Sequence, residues 1–337
     1  MSAGGKVFKL GDVELQSGEV LAAARLVYQT YGDYRPGMPV ILLPTFYTGT
    51  HIRNEAYLRA LPSLDPGRRF IISINMFGNG LSSSPSNTAA PQDGPRFPPT
   101  TLYDNVRCQQ RLLQEVFGVE TIDLVFGWSM AACQAFEWAA QFPDRVRAIL
   151  PFCGSAKASY HNIVFLEGVK AALQADQTFN GGDYRAPPAA GLKAFGRVYA
   201  GWAFSQTFYR ERLHRALGFE TYEALLADWE RDHLQWDAND LLAMLWTWQH
   251  ADISANATYN GDYHAALGAI SAHAIVVPCS TDLYFPPQDS AIEVEHMPNA
   301  QMRCYESPWG HCVAAPGRDL AFMRFLDSCV VQFLDRS

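Results

Sequence analysis

The chain has 337 residues, 48% of them hydrophobic and 18% charged, and a formal net charge of -8 at neutral pH. This is the composition of a compact globular protein; it excludes a disordered chain and disfavours nucleic acid as a partner, because phosphate binding calls for a basic patch. The length suits one large core with an insertion.

Residues 1–20 mix Gly, Lys, Asp and Glu without the apolar run of a secretory signal. No stretch reaches the roughly 18 apolar residues of a membrane span. A cytoplasmic enzyme without a membrane partner is therefore expected. Seven cysteines lie scattered along the chain; the odd number and the large size favour reduced thiols over a disulfide framework. With no CxxC, HExxH or EF-hand loop, no metal site is expected.

In chain order, short apolar runs predict strands at Val40–Leu43, Phe70–Ile74, Ile122–Phe126, Ala148–Phe152 and Ala274–Val277, with a sixth over Gln301–Tyr305. They alternate poorly, as strands buried on both faces of a parallel sheet do. Helical spacing marks Thr101–Phe117, Met130–Phe142 (stopped by Pro143) and Leu320–Leu334. Alternating strands and helices predict an open, doubly wound, mostly parallel α/β sheet. Residues 155–272 break the rhythm with aromatic-rich helical patterns at Phe195–Phe208, Tyr222–His233 and Asp240–His250. The expected organisation is a core of residues 1–154 and 273–337, with 155–272 as an inserted helical lid. The insertion falls between the fourth and fifth strands, near the carboxyl ends where open α/β sheets bind ligands. The plainer alternative is a helical extension of the core.

The run Ile122–Phe126 leads into Gly127-Trp128-Ser129-Met130-Ala131 and then a helix. Strand, sharp turn and helix with Ser at the apex describe a GxSxG-type nucleophile elbow. Small residues belong two before and two after the Ser, where strand and helix nearly touch; Ala131 replaces the second glycine. A Ser hydroxyl needs a base and an acid to orient that base, and this fold supplies them in the order Ser, Asp or Glu, His. Asp282 follows the fifth strand and His311 precedes the last helix, so Ser129, Asp282 and His311 are the expected triad. Asp289 is a rival acid; His273 and His296 are rival bases in poorer context. The oxyanion hole would take the backbone N–H of Met130 and one from the loop after the first strand, with Tyr47 preferred over Phe46. Gly78-Asn-Gly80 lacks the third glycine and following helix of a dinucleotide loop.

The same residues resemble the homoserine O-acetyltransferase family of α/β hydrolases, over nearly the whole length. The likeness runs through Leu26–Gly32, Thr48-Gly49, Gly94-Pro-Arg-Phe-Pro98 with Thr101, Asp104, Val106 and Gln109, then Ser129-Met130, Gln134–Trp138, Tyr259–Tyr263, Asp282 with Phe285–Pro287, and Gly310-His311. It implies a ping-pong acyl transfer through acyl-Ser129, a helical lid and a homodimer. It also implies acetyl-CoA or another acyl-CoA as co-substrate, with no bound cofactor. By this resemblance Arg197 stands where the family grips the acceptor carboxylate; a solvated lid charge is the alternative. The chain departs from the pattern at Trp128, where the family has Gly, and at Cys312, where it has the Asp that binds the acceptor amine. Ala131 and Tyr103 depart as well. Trp128 and Cys312 thus become candidate substrate contacts.

These readings favour a serine-nucleophile enzyme that hydrolyses a small ester, thioester or amide. The alternative is a CoA-dependent O-acetyltransferase acting on homoserine, serine or another small alcohol. The remote alternative is a catalytically silent binding protein on this fold. Dehalogenase and epoxide-hydrolase chemistry would put a carboxylate where Ser129 stands.

Overall fold

The computed structural model describes residues 4–334. Eight strands, β1 (Lys6–Glu14), β2 (Val20–Tyr31), β3 (Val40–Pro44), β4 (Phe70–Ile74), β5 (Leu124–Trp128), β6 (Ala148–Phe152), β7 (His273–Val276) and β8 (Ala300–Met302), form one sheet in the order β1-β2-β4-β3-β5-β6-β7-β8. From β4 to β8 every pairing is parallel, whereas β2 runs antiparallel to both β1 and β4. This is the doubly wound α/β sheet the pattern predicts, with an antiparallel edge.

The helices are α1 (His51–Ala60), α2 (Leu102–Phe117), α3 (Met130–Gln141), α4 (Tyr160–Gln174), α5 (Ala189–Ala203), α6 (Gln206–Arg210), α7 (Tyr222–His233), α8 (Ala238–Gln249), α9 (Tyr263–Gly268), α10 (Pro287–His296) and α11 (Leu320–Leu334). The alternation of side chains along buried strands splits the core in two. Val40 and Leu42 of β3, Phe70 and Ile72 of β4, and Val125 of β5 join the cluster under α2 and α3. Ile41, Leu43, Ile71, Leu124 and Phe126 face the other way, toward α1 and α11. A third cluster, rich in aromatics, is built largely from α4, α5 and α8 and reaches the sheet through Tyr47, Met130 and Tyr284.

Several boundaries differ from expectation for local reasons. The third expected strand starts later, at Leu124; Ile122 makes only an isolated bridge to Val146. The sixth shrinks to Ala300–Met302, while Tyr305 bridges Cys279. The single helix expected over Phe195–Phe208 is two, α5 and α6, separated at Phe204-Ser205; the Ser205 hydroxyl there accepts from Phe208 N and caps α6. The β1–β2 hairpin is not announced by its sequence. Its register shifts twice, on either side of Gly11, and seven of nine β1 residues are at least partly exposed, so no clean alternation survives. No helix among the described residues is long and apolar enough to cross a membrane.

Helix α2 begins at a capping box: Thr101 accepts from Asp104 N while Asp104 accepts from Thr101 N at 3.1 Å. Buried Asp104 also takes Gln16 N at 2.8 Å, tying the N-terminal hairpin to the core. A Thr101→Ala variant should lose about 1 kcal/mol, seen as a melting temperature about 1–2 °C lower in calorimetry.

Candidate active site

Ser129 sits at φ 58°, ψ -126°, a region disfavoured for a residue with a Cβ, between the last residue of β5 and the first of α3. The turn is possible because its neighbours lack side chains. A Cβ on Gly127 would lie 2.4 Å from Ala131 O, and one on Gly154 would lie 2.7 Å from Ser129 O and 2.4 Å from the Ala132 Cβ. Ser129 N donates to Phe152 O at 3.1 Å, and Ser129 O accepts from Ala132 N and Cys133 N. The apex is therefore clamped to β6 on one side and to α3 on the other.

The structure brings Ser129, His311 and Asp282 into one chain of contacts. His311 Nε2 lies 3.0 Å from Ser129 Oγ, and His311 Nδ1 lies 2.8 Å from Asp282 Oδ2. An ionised carboxylate can only accept, so Nδ1 carries the proton and Nε2 is left to accept from the hydroxyl. Asp282 Oδ1 in turn accepts Tyr284 N at 2.8 Å and Phe285 N at 3.2 Å. All three residues are buried. The loops carrying Asp282 and His311 are joined by Thr281, whose Oγ1 donates to Ser307 O at 2.6 Å and accepts from Gly310 N at 3.1 Å. The rival residues lie elsewhere: Asp289 in the first turn of α10, His273 at the exposed start of β7, and His296 at the end of α10, stacked on His264.

Aromatic side chains and one thiol surround these three residues. Trp128 lies nearly parallel to the His311 ring, centroids 5.0 Å apart, and packs on Phe46. Tyr284 meets His311 edge-on at 4.7 Å. Cys153, at φ 48°, places its thiol against Asp282. Burial, then the Asp282 charge, hold that thiol well above its usual pKa, so it stays protonated. Among the described residues, Cys153, Asp282 and His311 are the only group with metal-ligand spacing, their ligand atoms within 4.8 Å of one another. The hydrogen bonding of the triad already accounts for that closeness.

A cavity of about 400 Å³ opens over Ser129 and His311. The core contributes Tyr47, Trp128 and Cys312 to its lining, and the helices between β6 and β7 contribute Tyr199, Leu225 and Trp229. The Cys312 thiol is pushed up to about 12 by burial, so at neutral pH it is a small, uncharged wall. The backbone N–H groups of Met130 and of Phe46–Thr48 make no hydrogen bond among the described residues, and Phe46, Tyr47 and Thr48 border the cavity beside Ser129. Tyr47 is anchored by its hydroxyl, which donates to Leu241 O on α8 at 3.0 Å. Arg197 does not join the cavity. It lies on the exposed side of α5, paired with Glu230, because a long charged side chain there finds water and a carboxylate instead of the apolar interior.

A family model described as the alpha/beta hydrolase fold matches residues 38–315. The chain belongs to the α/β-hydrolase family. It is 34% identical to an ethyl acetate hydrolase of Pseudomonas veronii, over 98% of this chain and 95% of the relative. The crystal structure of an acetylester hydrolase from Corynebacterium glutamicum superposes with a TM-score of 0.92 at 35% identity, covering 98% of this chain and 95% of that one. A homoserine O-acetyltransferase of Trichormus variabilis is 30% identical over 88% of this chain and 86% of its own. With esterases and acyltransferases among its relatives, this α/β hydrolase is an acyl-transfer enzyme.

The packing around Ser129 can be probed without touching a reacting group. Gly154→Ala drives a methyl group into the elbow and should lower kcat on p-nitrophenyl acetate by about 100-fold. Gly168→Ala, where a Cβ meets nothing within 4 Å on α4, should leave kcat unchanged.

Proposed function

We propose that the enzyme is a serine esterase that hydrolyses small acyl esters, acetyl esters foremost, through an acyl-Ser129 intermediate. The observation that carries this reading is the continuous contact from Asp282 through His311 to Ser129 at the mouth of a small cavity. Ser129 Oγ attacks the ester carbonyl while His311 Nε2 takes its proton. Asp282 keeps the Nδ1 proton in place and balances the imidazolium. The oxyanion is received by Met130 N–H and by an N–H of the loop after β3, for which Tyr47 is preferred over Phe46. Collapse of the tetrahedral species breaks the carbonyl–alkoxy bond, and His311 returns the proton to the departing alcohol. A water then attacks acyl-Ser129, with His311 as its base, and releases the acid.

Three features favour water over homoserine as the attacking group. Cys312 is neutral where the transferases offer a carboxylate to an acceptor amine. Arg197 is turned to solvent and to Glu230, so nothing prepares it to bind a carboxylate. Relatives named as hydrolases of acetyl esters stand at 34–35% identity, above the 30% of the transferase. Residues 155–272 act in this proposal as a lid: Tyr199, Leu225 and Trp229 close the cavity from above and bound the acyl and alcohol groups it accepts. His311 is enclosed from the remaining sides by Trp128, Tyr284 and Phe285, which fix its ring plane.

Steady-state assays separate the two acceptors. Hydrolysis of ethyl acetate and p-nitrophenyl acetate should proceed with wild type and fall at least about 10³-fold in Ser129→Ala. CoA release from acetyl-CoA should not rise when L-homoserine or L-serine is added. A strong acceptor-dependent rise would assign the enzyme to acyl transfer between small molecules and overturn the esterase reading.

A further inference from the structure

Cys153 stands where β6 leaves the sheet, and like Ser129 it holds a positive φ that a residue with a Cβ adopts at a cost. Glycine takes that conformation without strain, so a side chain carried there calls for a use. The residue is 1% exposed, and its N–H donates to Val277 O at 2.9 Å, which holds it against the end of β7. It does not line the cavity over Ser129. Its thiol lies behind the reacting groups instead, where the sulfur, a carboxylate oxygen of Asp282 and a ring nitrogen of His311 are all within 4.8 Å of one another.

The thiol is tied to the Asp282 loop twice. Its sulfur accepts from the Cys279 N–H, and its S–H donates to the Asp282 carboxylate. Asp282 N donates to Cys279 O at 3.1 Å, so Cys153 touches both ends of the turn that presents Asp282. A buried carboxylate has about four acceptor positions to fill. Tyr284 N, Phe285 N and His311 Nδ1 take three of them, and the thiol supplies a fourth donor.

We propose that Cys153 is a positioning residue for acyl transfer, its S–H fixing the orientation of the Asp282 carboxylate toward His311 and drawing off part of its negative charge. This deepens the reading of Ser129, His311 and Asp282 given above and rests on it. Without the S–H, more charge stays on Asp282 and favours the imidazolium form of His311. The neutral imidazole that can accept from Ser129 is then lost at a higher pH. The other titratable groups facing Asp282 are Cys279, Tyr199 on α5, Tyr284 and Cys312; burial keeps all four protonated at neutral pH, so none of them titrates in its place. Burial does the same for Tyr57 on α1, which faces Cys153, and Arg318 is the cation that faces Cys312.

Profiles of kcat/KM on p-nitrophenyl acetate from about pH 5 to 9, for wild type, Cys153→Ala and Cys153→Ser, test this. In Cys153→Ala the midpoint of the acid limb should move up by about 0.5 pH unit, with KM within about twofold of wild type because the cavity wall is untouched. Cys153→Ser keeps a donor and should return the midpoint to the wild-type value or below it. A second readout needs no ester. The Nδ1 proton between His311 and Asp282 gives a low-field proton NMR signal, which should move further downfield in Cys153→Ala and return in Cys153→Ser. Should Cys153→Ala fail to fold, Cys153→Ser alone decides, since a midpoint above that of wild type contradicts the role. An unmoved acid limb and NMR signal in Cys153→Ala, a change confined to KM, or a serine variant that behaves as the alanine one would each overturn the proposal. Loss of the ester reaction with the NMR shift still present would overturn the esterase reading and leave the thiol's hold on Asp282 supported.

Discussion

Everything at the active site depends on one unfavourable backbone conformation. Ser129 is held at positive φ by its hydrogen bond to Phe152 O and by the first turn of α3, and no side chain stands in the way because positions 127 and 154 are glycine. A single residue in such a conformation costs on the order of 1–3 kcal/mol, which a sheet buried on both faces readily holds in place. The return is geometric. The Ser129 side chain projects from a tight turn at the carboxyl end of the sheet, where a histidine arriving from a distant loop can reach it.

The second constraint is how the His311 imidazole is held. His311 is packed between Trp128 and Tyr284, with Phe285 alongside, and its far nitrogen is engaged by Asp282. Asp282 is held by two backbone N–H groups of its own loop. Rotation of the imidazole would break both ring packing and hydrogen bonding. A further buried network supports the elbow from behind: Trp138 Nε1 donates to Gln109, Gln109 donates to Gln134 at 2.7 Å, and Gln134 donates to Thr45 O at 2.7 Å. Helices α2 and α3 are thereby tied to the end of β3, where the loop bearing Tyr47 begins.

The central strands, the elbow and the order of Ser129, Asp282 and His311 were legible because each rests on local pattern: an apolar run, a turn of small residues, a loop after a strand. Neighbourhoods made by long-range packing were not. Cys153 is 129 residues from Asp282 in the chain, and nothing in its surroundings announces a thiol beside a carboxylate. The β1–β2 hairpin was hidden by its bulged register. Arg197 shows the opposite failure. Resemblance suggested a site role, but the direction of a side chain on a helix depends on rotation by a fraction of a turn, and Glu230 offers this arginine a partner on the outer side.

The walls of the Ser129 cavity come from two separate lengths of chain. Ser129, Asp282 and His311 are carried by the sheet and its loops, while Tyr199, Leu225 and Trp229 belong to helices between β6 and β7. Leu225 stands on α7, more than 90 residues along the chain from the turn at Ser129. The shape of the pocket and the geometry of the elbow are therefore written in different parts of the sequence. The helices that bound the cavity can in this way vary between relatives while Ser129, His311 and Asp282 stay where they are.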